Sequence, residues 1–114
     1  MPKPAQTVLP RWRGFNLDQM CRAESDLAFS EEDFRWIADW GFDFVRLPLC
    51  YLLWVTDGDI FKMREPVLEK VDQAVSLGRK YGLHVSVNFH RAPGYCVSQQ
   101  LHEPFNLWKD ADAL

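Results

Sequence analysis

An internal repeat constrains the fold of this chain more than any other feature. Each copy has an amphipathic helical pattern, then a glycine, then a short β-prone run. The glycines that end the two helices, Gly41 and Gly82, lie 41 residues apart, as in successive βα units with a long loop. Such units form a parallel sheet with right-handed helical crossovers.

The first copy has recognisable start and stop signals. Ser30 precedes an acidic run, with Asp33 three positions on, which predicts a capping-box variant at the start of a helix. Gly41 predicts the end of that helix. A strand is predicted over residues 42–47, ended by Pro48.

The second copy repeats the plan. Pro66 suits the first turn of its helix, Gly82 ends that helix, and residues 83–90 form the next predicted strand. An earlier strand is predicted at residues 13–17, and a last helix begins after Asn106. The predicted order is therefore β-α-β-α-β-(α), an α/β sheet that is incomplete at its C-terminal end. A whole (β/α)8 barrel needs ~250 residues, so 114 residues make less than half of one.

Composition excludes several classes of protein. Apolar residues make up 47% and charged residues 25%, as in ordinary globular domains. The net charge of −3, without a basic run, argues against a nucleic-acid partner. No apolar run reaches the ~18 residues of a membrane span. The N-terminal residues lack an apolar signal region, which predicts a cytoplasmic protein, or an extracellular one whose signal has been removed.

Cysteine and histidine spacing gives no support for a metal or a cofactor. The three cysteines are an odd number without a C-x-x-C motif, which favours reduced thiols over a disulfide framework. Cys50 and Cys96 fall in neighbouring strand-end loops, so a contact between them stays open. The histidines, including His84 and His102, form neither H-x-H nor H-E-x-x-H, and no nucleotide-binding glycine motif follows a strand.

Strand alternation points a set of polar residues to one side of the sheet. In the third strand, Ser86, Asn88 and His90 share the face opposite the apolar residues that must meet the helices. The same alternation directs Asn16 and Arg46 inward from the first two strands. Because functional groups of parallel α/β folds gather at the carboxyl ends of strands, Asn16, Arg46 and His90 are predicted to converge there.

Each of these residues also has a purely structural interpretation. Arg46 could pair with an acidic residue at the rim, and His90 could cap a turn into residues 91–94. A guanidinium inside a β-run nevertheless needs a carboxylate or a substrate oxygen. Arg46 and His90 together, at equivalent ends of adjacent repeats, favour a functional site.

Four stretches carry a resemblance to a known family. They are Arg-Gly-Phe-Asn-Leu at 13–17, Gly-Phe-Asp-Phe-Val-Arg-Leu-Pro at 41–48, Gly-Leu-His-Val at 82–85 and Asn-Phe-His-Arg-Ala-Pro-Gly-Tyr at 88–95. Together they resemble the first three strands of glycoside hydrolase family 5. The likeness is greatest to its bacterial cellulase-like endoglucanases and runs from about Trp12 to the last residue. The Val-Arg-Leu-Pro stretch is moderately specific for this family. Its combination with His-Arg-Ala-Pro-Gly-Tyr makes the resemblance a strong one.

The resemblance implies the fold and the chemistry. Residues 1–114 would be the first three βα units of a (β/α)8 TIM barrel, without a second domain. The parent enzyme would be a retaining endo-β-1,4-glucanase that acts on β-linked glucan without a cofactor. Such enzymes use two glutamates whose carboxyl groups stand ~5–5.5 Å apart.

The family's site residues match only in part. Arg46 matches the arginine that orients the nucleophilic carboxylate, and His90 matches a histidine that binds the sugar in the −1 subsite. Asn16 is assigned to substrate binding with a less defined role. The family's acid/base follows an asparagine after the fourth strand, and its nucleophile follows the seventh. None of the six glutamates here follows an asparagine, so the chain alone is expected to be inactive.

Loop aromatics and exposed strand edges add further expectations. Tyr51, Trp54 and Tyr95 follow strands and could stack on sugar rings, although Trp54 could equally pack its loop onto the barrel. The alternative function is a non-catalytic carbohydrate-binding or interaction module built on these rings. The open edges of a partial sheet predict self-association, or pairing with the remainder of a barrel.

Overall fold

Three parallel strands connected through helices form the frame of the molecule. The computed structural model describes residues 10–25, 27–96 and 105–113. The elements in these ranges, in chain order, are β1 (Gly14–Asn16), α1 (Glu31–Asp39), β2 (Phe44–Cys50), β3 (Val55–Thr56), β4 (Asp59–Met63), α2 (Glu65–Tyr81), β5 (His84–Ala92) and β6 (Tyr95–Cys96). Short 3-10 turns occupy Tyr51–Leu53 and Ala111–Ala113. No helix in the described ranges has the length and apolar character to cross a membrane.

The main sheet has the order β1-β2-β5-β6. The pairs β1–β2 and β2–β5 are parallel, which confirms the predicted β-α-β-α-β order. Asn16 pairs with Arg46, and Arg46 pairs in turn with Ser86, so the three strands run in register. The short strand β6 turns back at Gly94 and pairs antiparallel with the end of β5.

Both helices end at the predicted glycines. Gly41 has a φ of 84° and Gly82 a φ of 68°, a left-handed conformation that costs least at glycine. Pro66 lies in the first turn of α2, as predicted. The prediction of a capping box at Ser30 is wrong in one respect, because the serine side chain forms no capping hydrogen bond. Its backbone oxygen instead accepts a hydrogen bond from the Asp33 N–H at 3.2 Å.

Pro48 lies inside β2 and does not end it, contrary to the prediction. Alternate residues of a parallel strand direct their N–H and C=O groups to the same neighbour. Arg46 and Cys50 bond towards the β1 side, through Leu17 N–H and the Met20 oxygen. Pro48 is directed to the same side, where β1 has already ended. Its missing N–H therefore leaves no ladder bond unmade.

A β-hairpin fills part of the predicted long loop between β2 and α2. Thr56 of β3 pairs with Asp59 of β4 across a two-residue turn. The turn residues, Asp57 and Gly58, have φ values of 52° and 73°. Positive φ at both positions is the geometry that an Asp-Gly pair favours in tight hairpins. The Asp57–Gly58 pair was therefore a signal in the sequence from which this hairpin could have been predicted.

The last predicted helix is reduced to turns. Asn106 does act as a cap, since its Oδ1 accepts a hydrogen bond from the Trp108 N–H at 2.9 Å. The chain then forms a turn, followed by the 3-10 turn at Ala111–Ala113, and the described residues after Asn106 contain no α-helix.

The core lies between the sheet and the two helices. Phe34 from α1, Val45 and Leu47 from β2, and Ala74 from α2 are fully buried there. The position of Gly78 shows how closely α2 packs, because an added Cβ would lie 2.3 Å from a methyl group of Val85. Val85 therefore meets the helix, as predicted for the apolar residues of β5. Val87 and Phe89, which alternation assigned to the same covered face, are 51% and 63% exposed, so the prediction is wrong for them: α2 covers only the start of β5.

Gly78→Ala tests this packing against helix propensity. Alanine should stabilise a helix by about 1 kcal/mol, but the overlap with Val85 should outweigh that gain. We expect a net loss of about 1–2 kcal/mol in urea unfolding. The control, Ser76→Ala on the exposed side of α2, should cost nothing. A stabilised Gly78→Ala chain would contradict the close approach.

A surface cluster joins the two helices. Glu31 at the start of α1 accepts hydrogen bonds from the Lys80 ammonium and from the Tyr81 hydroxyl, the latter at 2.8 Å. The hydrogen bond from Lys80, together with that from Tyr81 and the Lys80 charge, lowers the pKa of Glu31 below its ordinary value. The same contacts with Glu31 raise the pKa of Lys80.

These shifts fix the pH dependence of the cluster. Because the pKa of Glu31 is lower in the folded chain, its stabilisation is complete above the unfolded pKa and disappears as pH falls through the folded pKa. Urea unfolding of the wild type and Glu31→Gln should therefore differ at about pH 7 and converge towards about pH 3. High salt should shrink the difference at neutral pH. An unchanged difference at both pH values would refute the interpretation.

Candidate active site

Arg46 is the centre of a polar group on the inner face of the parallel strands, level with Asn16, the last residue of β1, and third of the seven residues of β2. Its Nη2 donates a hydrogen bond to Asn88 Oδ1 at 2.7 Å, and its Nη1 lies 3.5 Å from Asn16 Oδ1. Each residue comes from a different strand: Asn16 from β1, Arg46 from β2 and Asn88 from β5. The predicted convergence of Asn16 and Arg46 is therefore present in the structure.

Arg46 keeps its charge available. A guanidinium has five N–H donors, and in the part of the chain described here its acceptors are two neutral amides. The acidic rim partner considered from the sequence does not occur among these residues. Amide oxygens orient the guanidinium without neutralising it, so its other donors can bind a carboxylate or another anion in bidentate fashion.

His90 lies at a β-bulge further along β5, four residues past Ser86, which is the residue level with Arg46. The described hydrogen bonds join Arg46 to Asn16 and Asn88 and not to His90, so the predicted convergence is shown for Asn16 and Arg46 only. Leu49 pairs with Phe89, but the next residue of β2, Cys50, pairs with Arg91, so His90 is left out of the register. A bulge of this kind redirects side chains at the end of a strand. His90 is partly buried. Arg91 belongs to the strand and not to the following turn, which corrects the predicted strand end.

Asn88 is the residue that sequence reasoning missed. Alternation along β5 placed it on the inner face, yet no role was assigned to it. Its 2.7 Å contact is the shorter of the two that hold Arg46. The signal in the sequence was its spacing, since Asn88 lies two residues before His90 and therefore on the same face of the strand. The structure pairs Asn88 with Pro48, two residues beyond Arg46 on β2.

Burial corrects part of the predicted sugar-binding surface. Tyr51 is only 2% exposed and Trp54 only 5%, so both belong to the core. The Trp54 ring lies 5.7 Å from that of Phe89, which fits the alternative that this tryptophan packs its loop onto the sheet. Tyr95 is 50% exposed and stays available for stacking on a sugar.

None of the described glutamates lies on a parallel strand. Four of them are helical, Glu31 and Glu32 in α1 and Glu65 and Glu69 in α2, while Glu24 precedes α1. Glu103, like His102, falls outside the described residues. The glutamates that are described therefore supply no acid/base or nucleophile at the ends of the parallel strands.

The cysteines lie around β5 without forming a disulfide. Cys50 and Cys96 pair with Arg91 from opposite sides, so two strand spacings, about 9.5 Å, separate their backbones. This separation is too large for a disulfide, whose Cα atoms lie within about 7 Å. Across the described ranges, no three histidine, cysteine or acidic side chains group into a potential metal site.

Parallel strands in register, with polar residues on their inner face, are the arrangement found in one flank of a (β/α)8 barrel. Such barrels carry their functional residues at the carboxyl ends of the strands. A family model described as cellulase, glycosyl hydrolase family 5, matches residues 3–111. The chain belongs to this family. The resemblance stated from four sequence stretches is thereby confirmed.

Related proteins agree with this assignment. The chain is 39% identical over 75 residues to cellodextrinase A of Ruminococcus flavefaciens, covering 65% of the chain and 21% of that protein. It is 36% identical over 70 residues to endoglucanase C of Acetivibrio thermocellus, covering 61% of the chain and 20% of the relative. The chain thus matches about a fifth of the length of these relatives.

Solved structures confirm the fold. A crystal structure of a glycoside hydrolase superposes with a TM-score of 0.83 and 32% identity, covering 91% of this chain and 32% of that one. Endoglucanase Cel5A of Thermotoga maritima gives a TM-score of 0.57 at 23% identity, over 68% of this chain and 26% of that one. The predicted partial TIM barrel is confirmed.

Trp54→Ala and Tyr95→Ala separate packing from surface exposure. Removing the buried Trp54 ring should cost about 3–5 kcal/mol in urea unfolding, because it opens a cavity against Phe89. Removing the exposed Tyr95 ring should change stability by less than about 0.5 kcal/mol. Equal losses in the two variants would show that the burial difference does not hold in solution.

Proposed function

We propose that this chain provides the first three βα units of a retaining endo-β-1,4-glucanase. The observation that carries the proposal is the charged Arg46, fixed between Asn16 and Asn88 on the inner face of the sheet, level with the end of β1. Membership of the cellulase family supports the reaction class. In this proposal the two reacting glutamates come from later strands of the same barrel.

Arg46 has a clear electrostatic role in such a reaction. Retaining hydrolysis needs one carboxylate that stays ionised as nucleophile and another carboxyl group that donates and then accepts a proton. A guanidinium next to the nucleophile favours its ionised form and fixes the direction of its oxygens. Asn16 and Asn88 prevent Arg46 from turning away while leaving its charge unused.

His90 supplies a hydrogen-bonding group further along the sheet than Arg46, four residues past Ser86 on β5. Its exclusion from the β2–β5 register puts it at the strand end, where the resemblance assigns a histidine to the sugar in the −1 subsite. An imidazole can donate to or accept from a sugar hydroxyl. We therefore assign His90 to substrate positioning and leave the reacting roles to the glutamates.

The substrate class rests on the relatives. Endoglucanase C and cellodextrinase A favour a β-linked glucan. Structures of the Thermotoga maritima enzyme contain cellobiose in one case and mannotriose in another. We propose glucan, with mannan as the alternative polymer. A cytoplasmic location stays a prediction.

The alternative function, a carbohydrate-binding module, has weaker support. It depended on Tyr51, Trp54 and Tyr95 forming one stacking surface. Burial of Tyr51 and Trp54 leaves Tyr95 as the exposed member of that set. One ring buries too little area for tight sugar binding.

Assays of the 114-residue chain test the proposal. We expect no release of reducing sugar from carboxymethyl cellulose or barley β-glucan, since no glutamate described here lies on a parallel strand. Calorimetric titration with cellohexaose should detect no binding tighter than millimolar. Hydrolysis that persists after His90→Ala and retains the anomeric configuration would contradict the proposal, whereas micromolar sugar binding without hydrolysis would favour the binding module.

A further inference from the structure

Arg91 connects β5 to the loop between β1 and α1. Its side chain is 9% exposed, and its Nη1 donates to the carbonyl oxygen of Cys21. The same nitrogen lies 3.3 Å from the Cys21 sulfur. Its Nε is buried and has no hydrogen-bond partner among the described residues. The guanidinium is therefore directed at a thiol and is incompletely satisfied.

A buried guanidinium requires a counter-charge, and the groups around Arg91 that can supply one are thiols. The described residues pair no carboxylate with it. Cys50 and Cys96 flank it in the sheet, and Cys21 contacts it directly. Burial lowers the pKa of Arg91. The hydrogen bond with Cys21 and the negative charges of the three cysteines in their ionised form outweigh this effect and raise the pKa overall.

We propose that Cys21 is a thiol-modification site whose thiolate is stabilised by Arg91 and which reacts with small disulfides. The Cys21 thiolate attacks one sulfur of the disulfide and forms a new S–S bond. The old S–S bond breaks, and the other half leaves as a thiolate that takes up a proton from water. Exchange of this kind needs no further oxidant, because the small disulfide is the oxidant that is consumed.

Accessibility selects Cys21 among the three cysteines. Cys50 is completely buried, so a reagent cannot reach it in the folded chain. Cys21 and Cys96 are both partly exposed. Cys96 is paired with Arg91 through the backbone, whereas the Cys21 sulfur accepts from the guanidinium itself. Cys96 is therefore an internal reference for a partly exposed thiol that lies near Arg91 but has no described hydrogen bond from its guanidinium.

Modification would affect the candidate active site. A disulfide sulfur is neutral, so Arg91 would lose the anion that offsets its burial. Arg91 follows His90 at the bulge, and Cys21 lies in the loop that follows β1. The state of the thiol is thereby coupled to the strand end that carries His90. The inference itself rests on the Arg91–Cys21 contact and not on the proposed glycosidase function.

Timed labelling of the 114-residue chain tests the proposal. The chain is treated with oxidised glutathione at pH 7, and mass spectrometry measures modification at each cysteine. The guanidinium donates to the Cys21 sulfur, and such a contact favours the anionic sulfur that attacks a disulfide. We expect Cys21 to react at least about threefold faster than Cys96, and Cys50 to stay unmodified.

Two controls identify the cause. In the chain unfolded by urea, the three cysteines should react at similar rates. Arg91→Met should slow Cys21 to the rate of Cys96, while Arg91→Lys should keep part of the advantage. If Arg91→Met does not fold, the wild-type comparison of Cys21 with Cys96 decides alone. A Cys21 that reacts no faster than Cys96 in the folded wild type would overturn the proposal.

Discussion

Parallel, in-register pairing of β1, β2 and β5 determines where the candidate functional side chains lie. Asn16, Arg46 and Ser86 occupy one level of the sheet, and Asn88 lies two residues further along β5. Gly14 permits this pairing, because a Cβ at that position would lie 1.5 Å from the Phe44 carbonyl oxygen. Close approach of β1 to β2 is thus a condition for the contact between Asn16 and Arg46.

The two faces of the sheet have different partners. The outer face of the sheet packs against α1 and α2. Val45 of β2 and Phe34 of α1 are both fully buried. The inner face carries polar groups at the carboxyl edge. At its other end, the Trp12 ring stacks on His84 with ring centroids 4.1 Å apart. In a closed barrel these inner residues would face the remaining strands. In the proposed enzyme, these polar groups would form one part of the site, and its opposite wall would come from the remaining strands.

Much of this arrangement could be predicted from sequence, because local signals determine it. Glycines ended both helices, and alternation separated the faces of β5 correctly at Val85 and Asn88. The Asp57–Gly58 hairpin was equally local and was overlooked. By contrast, nothing local distinguishes a tryptophan that rims a cleft from one that packs a loop, so the burial of Trp54 could not be predicted.

Two other features depend on long-range contacts. The bulge that removes His90 from the register follows from pairing with β2, and no residue of β5 signals it. The contact between Arg91 and Cys21 joins positions 70 residues apart in sequence. The resemblance to the family located the edge, but the hydrogen bonds that hold Arg46 required the structure.

The central claim is that the Arg46 edge is one part of a glycoside hydrolase site. The most direct measurement replaces the matching segment of Acetivibrio thermocellus endoglucanase C with residues 10–96 of this chain and assays the folded chimera on β-glucan. The account predicts hydrolysis with retention of configuration, reduced at least about a hundredfold in kcat/KM by Arg46→Ala, as expected for loss of a group that stabilises a transition-state charge. A folded chimera with no activity, or one that is indifferent to Arg46→Ala, would contradict it.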